Sequence, residues 1–224
     1  MASYFVTGTD TEIGKTFVTS QLLRTGADAG LSTLGYKPVS AGCELIDGVY
    51  SNEDARAIKA ASSVSAPLEQ INPIALLPPI APHIAAQQAG VTITEDAIVQ
   101  GYQQLQTYQP DLLLMEGAGG WKLPLAENLW MPEVVKALSL EVILVVGMRL
   151  GCLNHALLTA DAILRDGLKL KGWVANQLDP AMPVYTENLQ TLKNSMPAPL
   201  LAELPFNPSK ESLQGLSSLV QKLA

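Results

Sequence analysis

Gly14-Lys15-Thr16, together with Lys37 and Glu116 further along the chain, carries the cations, hydroxyl and carboxylate that phosphate chemistry uses. A lysine at the start of a helix adds its charge to the backbone N–H groups and the helix dipole, and all three favour a phosphate. The neighbouring Thr16 hydroxyl is of the type that ligates Mg²⁺, while Lys15 would reach the outer phosphates. The surrounding segment, "FVTGTDTEIGKTFVTS" (5–20), reads as an apolar strand, a turn and a helix start, which is the order of parts in a phosphate-binding loop. The strict pattern has Gly, four residues, then Gly-Lys-Ser/Thr. Here five residues separate Gly8 from Gly14, and Thr9 stands where the first Gly belongs. Glu12 also places an acid among phosphates, which is unfavourable unless a metal or a lysine balances it.

Each further candidate follows an apolar run. In "GYKPVSAG", Lys37 precedes Pro38 and is therefore held extended at a strand end; a second cation there would neutralise charge on a transferring phosphoryl group. Taken alone, it reads equally well as a solvated lysine. In "LLLMEGAGGW", Glu116 ends a buried strand, as a Mg²⁺-holding acid does, and Gly117, Gly119 and Gly120 let backbone approach a ligand; the plain alternative is a tight turn. Glu53 and Asp54 suit a helix start as partners of its dipole. Asn176 either reads an adenine edge or forms a turn ahead of Asp179-Pro180. Asn154 reads as a helix cap and His155 as a surface or partly buried residue. With only His83 and His155 present, a zinc cluster is not expected, and no Gly-x-Ser-x-Gly elbow occurs.

These groups need a scaffold that brings strand ends together. Strands are predicted at 4–8, 32–39, 111–117, 141–147, 170–176 and 198–205, and their near-continuous apolar character suits strands covered on both faces. Helices are predicted from Thr16 to Thr25 and over 94–108, 154–167 and 183–195. Thr94 is the expected N-cap of the second, and Leu157, Leu158, Ala160, Ala162 and Leu164 are the expected buried face of the third, with Gly167 as its stop. The Pro-rich 71–83 is predicted to be a surface loop leading into a helix near His83. Strand-first alternation implies an α/β fold: a doubly wound, mostly parallel sheet with helices on both faces and right-handed crossovers, in one domain over 1–224.

Composition agrees with a packed globular chain: 224 residues, 48% hydrophobic and 16% charged. A net charge of −7 argues against a general nucleic-acid binder. The start "MASYFV" lacks the features of a signal peptide, and runs such as "VILVVGM" (142–148) are too short to span a bilayer. The only cysteines, Cys43 and Cys152, suggest no disulfide framework and a reducing cytoplasm.

Taken together, "FVTGTDTEIGKT" (5–16), "GYKPV" (35–39), Asp54, "PH" (82–83), "MEGAGGW" (115–121), "VILVVGMRLGCLNH" (142–155), "GWVAN" (172–176) and "PAPLLAELP" (197–205) closely resemble the dethiobiotin synthetases, in family order and over almost the entire chain. The resemblance implies a P-loop NTPase-like fold and an ATP-dependent ring closure. 7,8-Diaminononanoate takes up CO₂ as a carbamate, the carbamate attacks the γ-phosphate, and the second amine closes the ureido ring on the resulting anhydride. It implies Lys15 and Lys37 as catalytic cations and Thr16, Asp54 and Glu116 as Mg²⁺ ligands. Glu12, Ile13, Gly14, Lys15, Thr16 and Phe17 would form the phosphate loop, with Gly117, Ala118 and Gly119 also at the nucleotide. Asn176 and Gln177 would meet adenine, and Pro205, Phe206 and Asn207 would line the base. Thr11, Lys37 and Ala41 would face the substrate. In a homodimer, Leu150, Gly151 and Asn154 of one subunit would lie near the other's substrate carboxylate. The chain departs from the family at "SAG": Ala41 stands where a hydroxyl residue is usual and Ser40 lies one earlier, on the opposite side of extended backbone. The rival readings are a partition-type ATPase acting as a dimerising switch, whose additional loop lysine has no counterpart between Met1 and Gly14, and a non-catalytic nucleotide-binding module.

Overall fold

The computed structural model describes residues 1–46, 48–209 and 213–223. Six strands form one sheet: β1 (Ala2–Gly8), β2 (Thr33–Tyr36), β3 (Leu112–Glu116), β4 (Glu141–Met148), β5 (Leu170–Gln177) and β6 (Leu200–Leu204). Their order is β6-β5-β4-β1-β3-β2, and every neighbouring pair is parallel. Each of the six predicted runs contains one of these strands. Val142 through Val146 are all fully buried, as a central parallel strand covered on both faces requires.

Helix α1 (Lys15–Asp28) packs against α2 (Glu53–Ala61) and against the C-terminal helix Gln214–Leu223. The connection from β1 to β2 runs one way across the sheet and all later ones run back, so right-handed crossovers put the later intervening helices other than α2 on the opposite face. Those helices are α3 (Pro82–Ala89), α4 (Glu95–Gln106), α5 (Met131–Ala137), α6 (Cys152–Arg165) and α7 (Tyr185–Ser195). Connections leave β1 and β4 in opposite directions. Their carboxyl ends therefore flank a topological switch point, where open α/β sheets bind ligands. Among the described residues no helix is long and apolar enough to cross a membrane.

Local chemistry explains the helix ends. Thr94 Oγ1 accepts from Ala97 N at 3.2 Å, as expected of an N-cap. Asn52 caps α2, its Oδ1 accepting from the backbone N–H groups of Asp54 and Ala55. Helix α6 differs from expectation in two ways. It starts at Cys152 with Gly151 at the N-cap, so Asn154 lies inside the first turn and caps nothing. Its buried stripe is Cys152, Ala156, Ala160 and Ile163, while Leu158 and Leu164 are 60% and 44% exposed. Steps of four, four and three follow the helical period, whereas Leu157 and Leu158 are consecutive and point in different directions. Small residues line the inner side where α6 packs on β4 and β5.

The predicted strand 32–39 is broken. Tyr36 ends β2, and after Pro38 the segment Val39–Ser40 pairs in parallel with Ile74–Ala75. The Pro-rich stretch expected as a surface loop thus supplies an edge for the Lys37 segment before entering α3 at Pro82.

Candidate active site

The phosphate loop is folded over one apolar side chain. Ile13 is 1% exposed, and its branches fill the space that Cβ atoms at Gly8 and Gly147 would take, each at 2.7 Å. The extra residue relative to the strict pattern is absorbed in the turn ahead of Gly14, where Glu12 adopts φ 56° and Gly14 φ 83°. A side chain at Gly14 would meet Asn176 Nδ2 at 2.2 Å, so only glycine fits this position. Asn176 Nδ2 itself donates to Ile13 O at 2.9 Å. The Glu12 carboxylate is exposed on the cavity wall and makes no hydrogen bond among the described residues, so the loop is not held by it.

Three strand ends then converge. Glu116 at the end of β3 stands in register with Val6 of β1. Its Oε1 accepts from Thr16 Oγ1 and from Lys37 Nζ, both at 2.7 Å. Lys37 also donates to Gly117 O at 2.9 Å and lies 3.4 Å from Asp54 Oδ2. Burial pulls the Lys37 pKa down, but the Glu116 and Asp54 carboxylates outweigh it and the net shift is upward, so this 2%-exposed ammonium stays charged. Lys15 is in the opposite situation. Its Nζ donates to Asp10 O at 2.8 Å, and burial followed by the nearby Lys37 charge lowers its pKa to about 8. Glu116 Oε2 is buried without a hydrogen-bond partner.

Beside these groups lies a cavity of about 950 Å³ whose lining includes Thr11, Glu12, Gly14, Lys15, Thr16, Lys37, Ala41, Asp54, Ala118 and Gly119, with the fully buried Glu116 behind Thr16 and Lys37. The phosphate loop, Lys37, Ala41, Asp54 and the Gly-rich turn therefore share one space, with Pro79 to Pro82 as a further wall. Ile13 lies beneath the loop, Phe17 is half-buried on α1, and Gly117 accepts from Lys37. Asn176 and Gln177 sit at the end of β5, where Gln177 Oε1 accepts from Phe206 N at 3.3 Å and so ties the Pro205, Phe206 and Asn207 turn to this side of the loop. Leu150, Gly151 and Asn154 lie outside the cavity: Leu150 is 98% exposed, and Gly151 and Asn154 also face solvent. Ser40 and Ala41 both line the cavity, but the Ser40 hydroxyl is committed to Asn72 Oδ1, to which it donates at 2.8 Å.

Several contributors escaped the sequence reading. Arg149 pairs with Asp10 and joins the loop after β4 to the phosphate loop. Asn52 Nδ2 donates to Ala41 O at 3.1 Å, linking the Ala41 turn to the helix that carries Asp54; an Asn directly ahead of Glu53-Asp54 is a cap signal that would have found it. Trp121 anchors the Gly-rich turn by donating its indole N–H to Asp166 at 2.7 Å and by a T-shaped contact with the Phe5 ring. No group of three or more His, Cys, Asp or Glu side chains among the described residues could by itself hold a metal. A cation held here would need hydroxyl and ligand oxygens as well, which is the way Mg²⁺ is commonly bound beside phosphates.

A family model described as an AAA domain matches residues 2–212. Among solved structures, a chain of the MinC:MinD cell division protein complex of Aquifex aeolicus superposes with a TM-score of 0.62 at 12% identity, covering 100% of this chain and 96% of that one. The septum site-determining protein MinD of Pyrococcus horikoshii, complexed with Mg-ADP, gives 0.56 at 16% identity, covering 99% and 96%. At such identities the likeness shows the fold alone. Sequence relatives are far nearer. The ATP-dependent dethiobiotin synthetase BioD of Alteromonas mediterranea is 56% identical over 231 residues, covering 99% of each chain. The protein of the same name from Pseudoalteromonas translucida is 46% identical, covering 100% of this chain and 99% of the relative, and that of Pseudomonas aeruginosa is 49% identical, covering 92% and 90%. With its phosphate loop and paired lysines on one cavity, and with full-length identities of this size, the chain belongs to the dethiobiotin synthetase family.

Proposed function

We propose that this protein is a cyclo-ligase of biotin biosynthesis that converts 7,8-diaminononanoate, CO₂ and ATP to dethiobiotin, ADP and phosphate, with the whole chain 1–224 acting as one catalytic domain. The observation that carries the reading is the convergence of Lys15, Thr16 and Lys37 on one cavity, with Glu116 bonded to the last two, in a chain 56% identical over 231 residues to a dethiobiotin synthetase. A dimerising switch of the partition type shares the fold, but the named sequence relatives do not favour it.

The chemistry sets a clear requirement. A carbamate oxygen must attack a triphosphate, so two anions have to be brought together and the transferring group stabilised. Lys15, at the start of α1, would take the outer phosphates. Its lowered pKa, about 8, leaves it mostly charged at neutral pH while making that charge costly until a phosphate shares it. Lys37 would meet the charge developing on the transferred phosphoryl group. Thr16, Asp54 and Glu116 would hold Mg²⁺: all are oxygen donors suited to a hard cation, and the unpartnered Glu116 Oε2 is a buried carboxylate oxygen that such a site would use. Bound there, the ion would neutralise phosphate charge during transfer. Asn176 and Gln177, with Pro205, Phe206 and Asn207, would receive the base. Thr11, Lys37 and Ala41 would face the diamine, and Leu150, Gly151 and Asn154 would serve the substrate of a second subunit in a homodimer. The exposure of Leu150 supports that last assignment, because so large an apolar side chain gains by being covered. The two buried free cysteines fit a reducing compartment, and the cytoplasm is the proposed location.

The test measures ADP release with ATP, Mg²⁺ and bicarbonate, with and without the diamine. Release that depends on the diamine is expected; equal turnover in its absence would overturn the ligase reading.

A further inference from the structure

Two buried polar side chains that are given no part in holding phosphate or metal, Asn72 and Ser40, lie on the edge that runs beside the Lys37 segment. Lys37 leaves the sheet after Tyr36, and Pro38 has no N–H, so the chain here lacks the regular ladder that would otherwise fix it. The stretch after Ile71 replaces that ladder. Lys37 N donates to Ile71 O at 2.8 Å, and Ile74 N donates to Pro38 O at 3.1 Å. Between these backbone bonds, Asn72 Nδ2 donates to Lys37 O at 2.6 Å, and Asn72 Oδ1 accepts from Ser40 Oγ at 2.8 Å. One side chain, 5% exposed, thus clamps the peptide that follows Lys37 and the residue next to Ala41. The hydroxyl that stands at Ser40 rather than at position 41 is used in this clamp.

We propose that Asn72 is a positioning residue for Lys37. By fixing the Lys37 carbonyl it sets the point from which the side chain departs, and so where its ammonium meets the transferring phosphoryl group. Ser40 is the second anchor of the same clamp. The proposal rests on the ligase reading of the site and adds a residue that touches neither substrate nor nucleotide.

A clamp of this kind serves the transition state more than ground-state nucleotide binding, because a small misplacement of a catalytic group costs rate steeply. Asn72→Ala is therefore expected to lower kcat about tenfold or more while the dissociation constant for ATP stays within about twofold. Asn72→Asp keeps an acceptor for Ser40 but has no N–H for Lys37 O, and should lose a comparable factor; Ser40→Ala should lose about two- to threefold. The decisive comparison is a double-mutant cycle on single-turnover rates. In a Lys37→Gln background Asn72→Ala should cost less than about twofold, because its effect passes through Lys37. A kcat for Asn72→Ala within twofold of wild type, or equal losses in both backgrounds, would overturn the proposal. Should Asn72→Ala fail to fold, Asn72→Asp decides, and a wild-type kcat for it has the same consequence. Wild-type enzyme without diamine-dependent ADP release would instead strike the ligase reading, before any variant is compared.

Discussion

Replacing Lys37 with methionine should unfold the protein well below the wild-type temperature, apart from any effect on turnover. Glu116 is fully buried, and its Oε1 takes hydrogen bonds from Lys37 and from Thr16, while Oε2 has no partner. Removing the ammonium leaves a carboxylate in the interior with one hydroxyl donor and only the more distant Lys15 charge, which makes no hydrogen bond to it, as compensation. Breaking a buried pair in this one-sided way costs about 3–5 kcal/mol. For a chain of this size each kcal/mol moves the midpoint by about 2–4 °C, so a drop on the order of 10 °C is expected. Asp54 cannot soften the loss, because it is a second carboxylate that also loses its lysine partner. The double variant Lys37→Met with Glu116→Gln removes the stranded charge and should recover roughly half of the deficit or more. Thermal unfolding followed by circular dichroism, without nucleotide or Mg²⁺, reads both. A loss of less than about 1 kcal/mol in the single variant, or a double variant no better than the single, would refute the view of Lys37 and Glu116 as a mutually dependent buried pair.

Three further outcomes are expected. Ala41→Ser puts a hydroxyl on the cavity wall and should lower the KM for the diamine by about two- to twelvefold, the worth of one hydrogen bond; an unchanged or raised KM in steady-state assays rejects that role. Gly14→Ala combines a left-handed backbone with a contact at 2.2 Å to Asn176, and should weaken ATP binding in a fluorescence titration by about tenfold or more; retained affinity would mean the loop relaxes freely. Lys15 has its pKa lowered to about 8 from 10.5, so the unfolded chain binds more protons between those values and this group's contribution to stability rises with pH across that window. A bound phosphate favours charged Lys15, so ATP affinity should fall about tenfold between pH 7 and pH 9, with proton uptake visible by calorimetry at pH 9; pH-independent affinity contradicts this.

The sheet was legible because β3, β4 and β5 are apolar runs covered on both faces, and the phosphate loop because Gly14-Lys15-Thr16 follows such a run directly. Lys37 and Glu116 were legible for the same reason, as polar residues delivered by strand ends. The misreadings have physical causes. Helix α6 hides its buried side because alanines at 156 and 160 carry the packing while Leu158 and Leu164 face outward. The Pro-rich stretch looked irregular because its pairing partner, Val39–Ser40, lies 35 residues away and contributes only two ladder residues. Asn72, Arg149 and Trp121 act through partners remote in sequence, Lys37, Asp10 and Asp166, and nothing local to each residue names that partner.

The path of one oxygen atom tests the central claim most directly. If a carbamate oxygen attacks the γ-phosphate and the second amine then displaces phosphate from the anhydride, one oxygen of CO₂ leaves in the phosphate. With ¹⁸O-labelled bicarbonate, unlabelled water and the diamine, mass spectrometry should find one ¹⁸O in each phosphate released and one dethiobiotin for each ADP. Phosphate whose added oxygen comes from water, or ADP formed without dethiobiotin, would contradict the account.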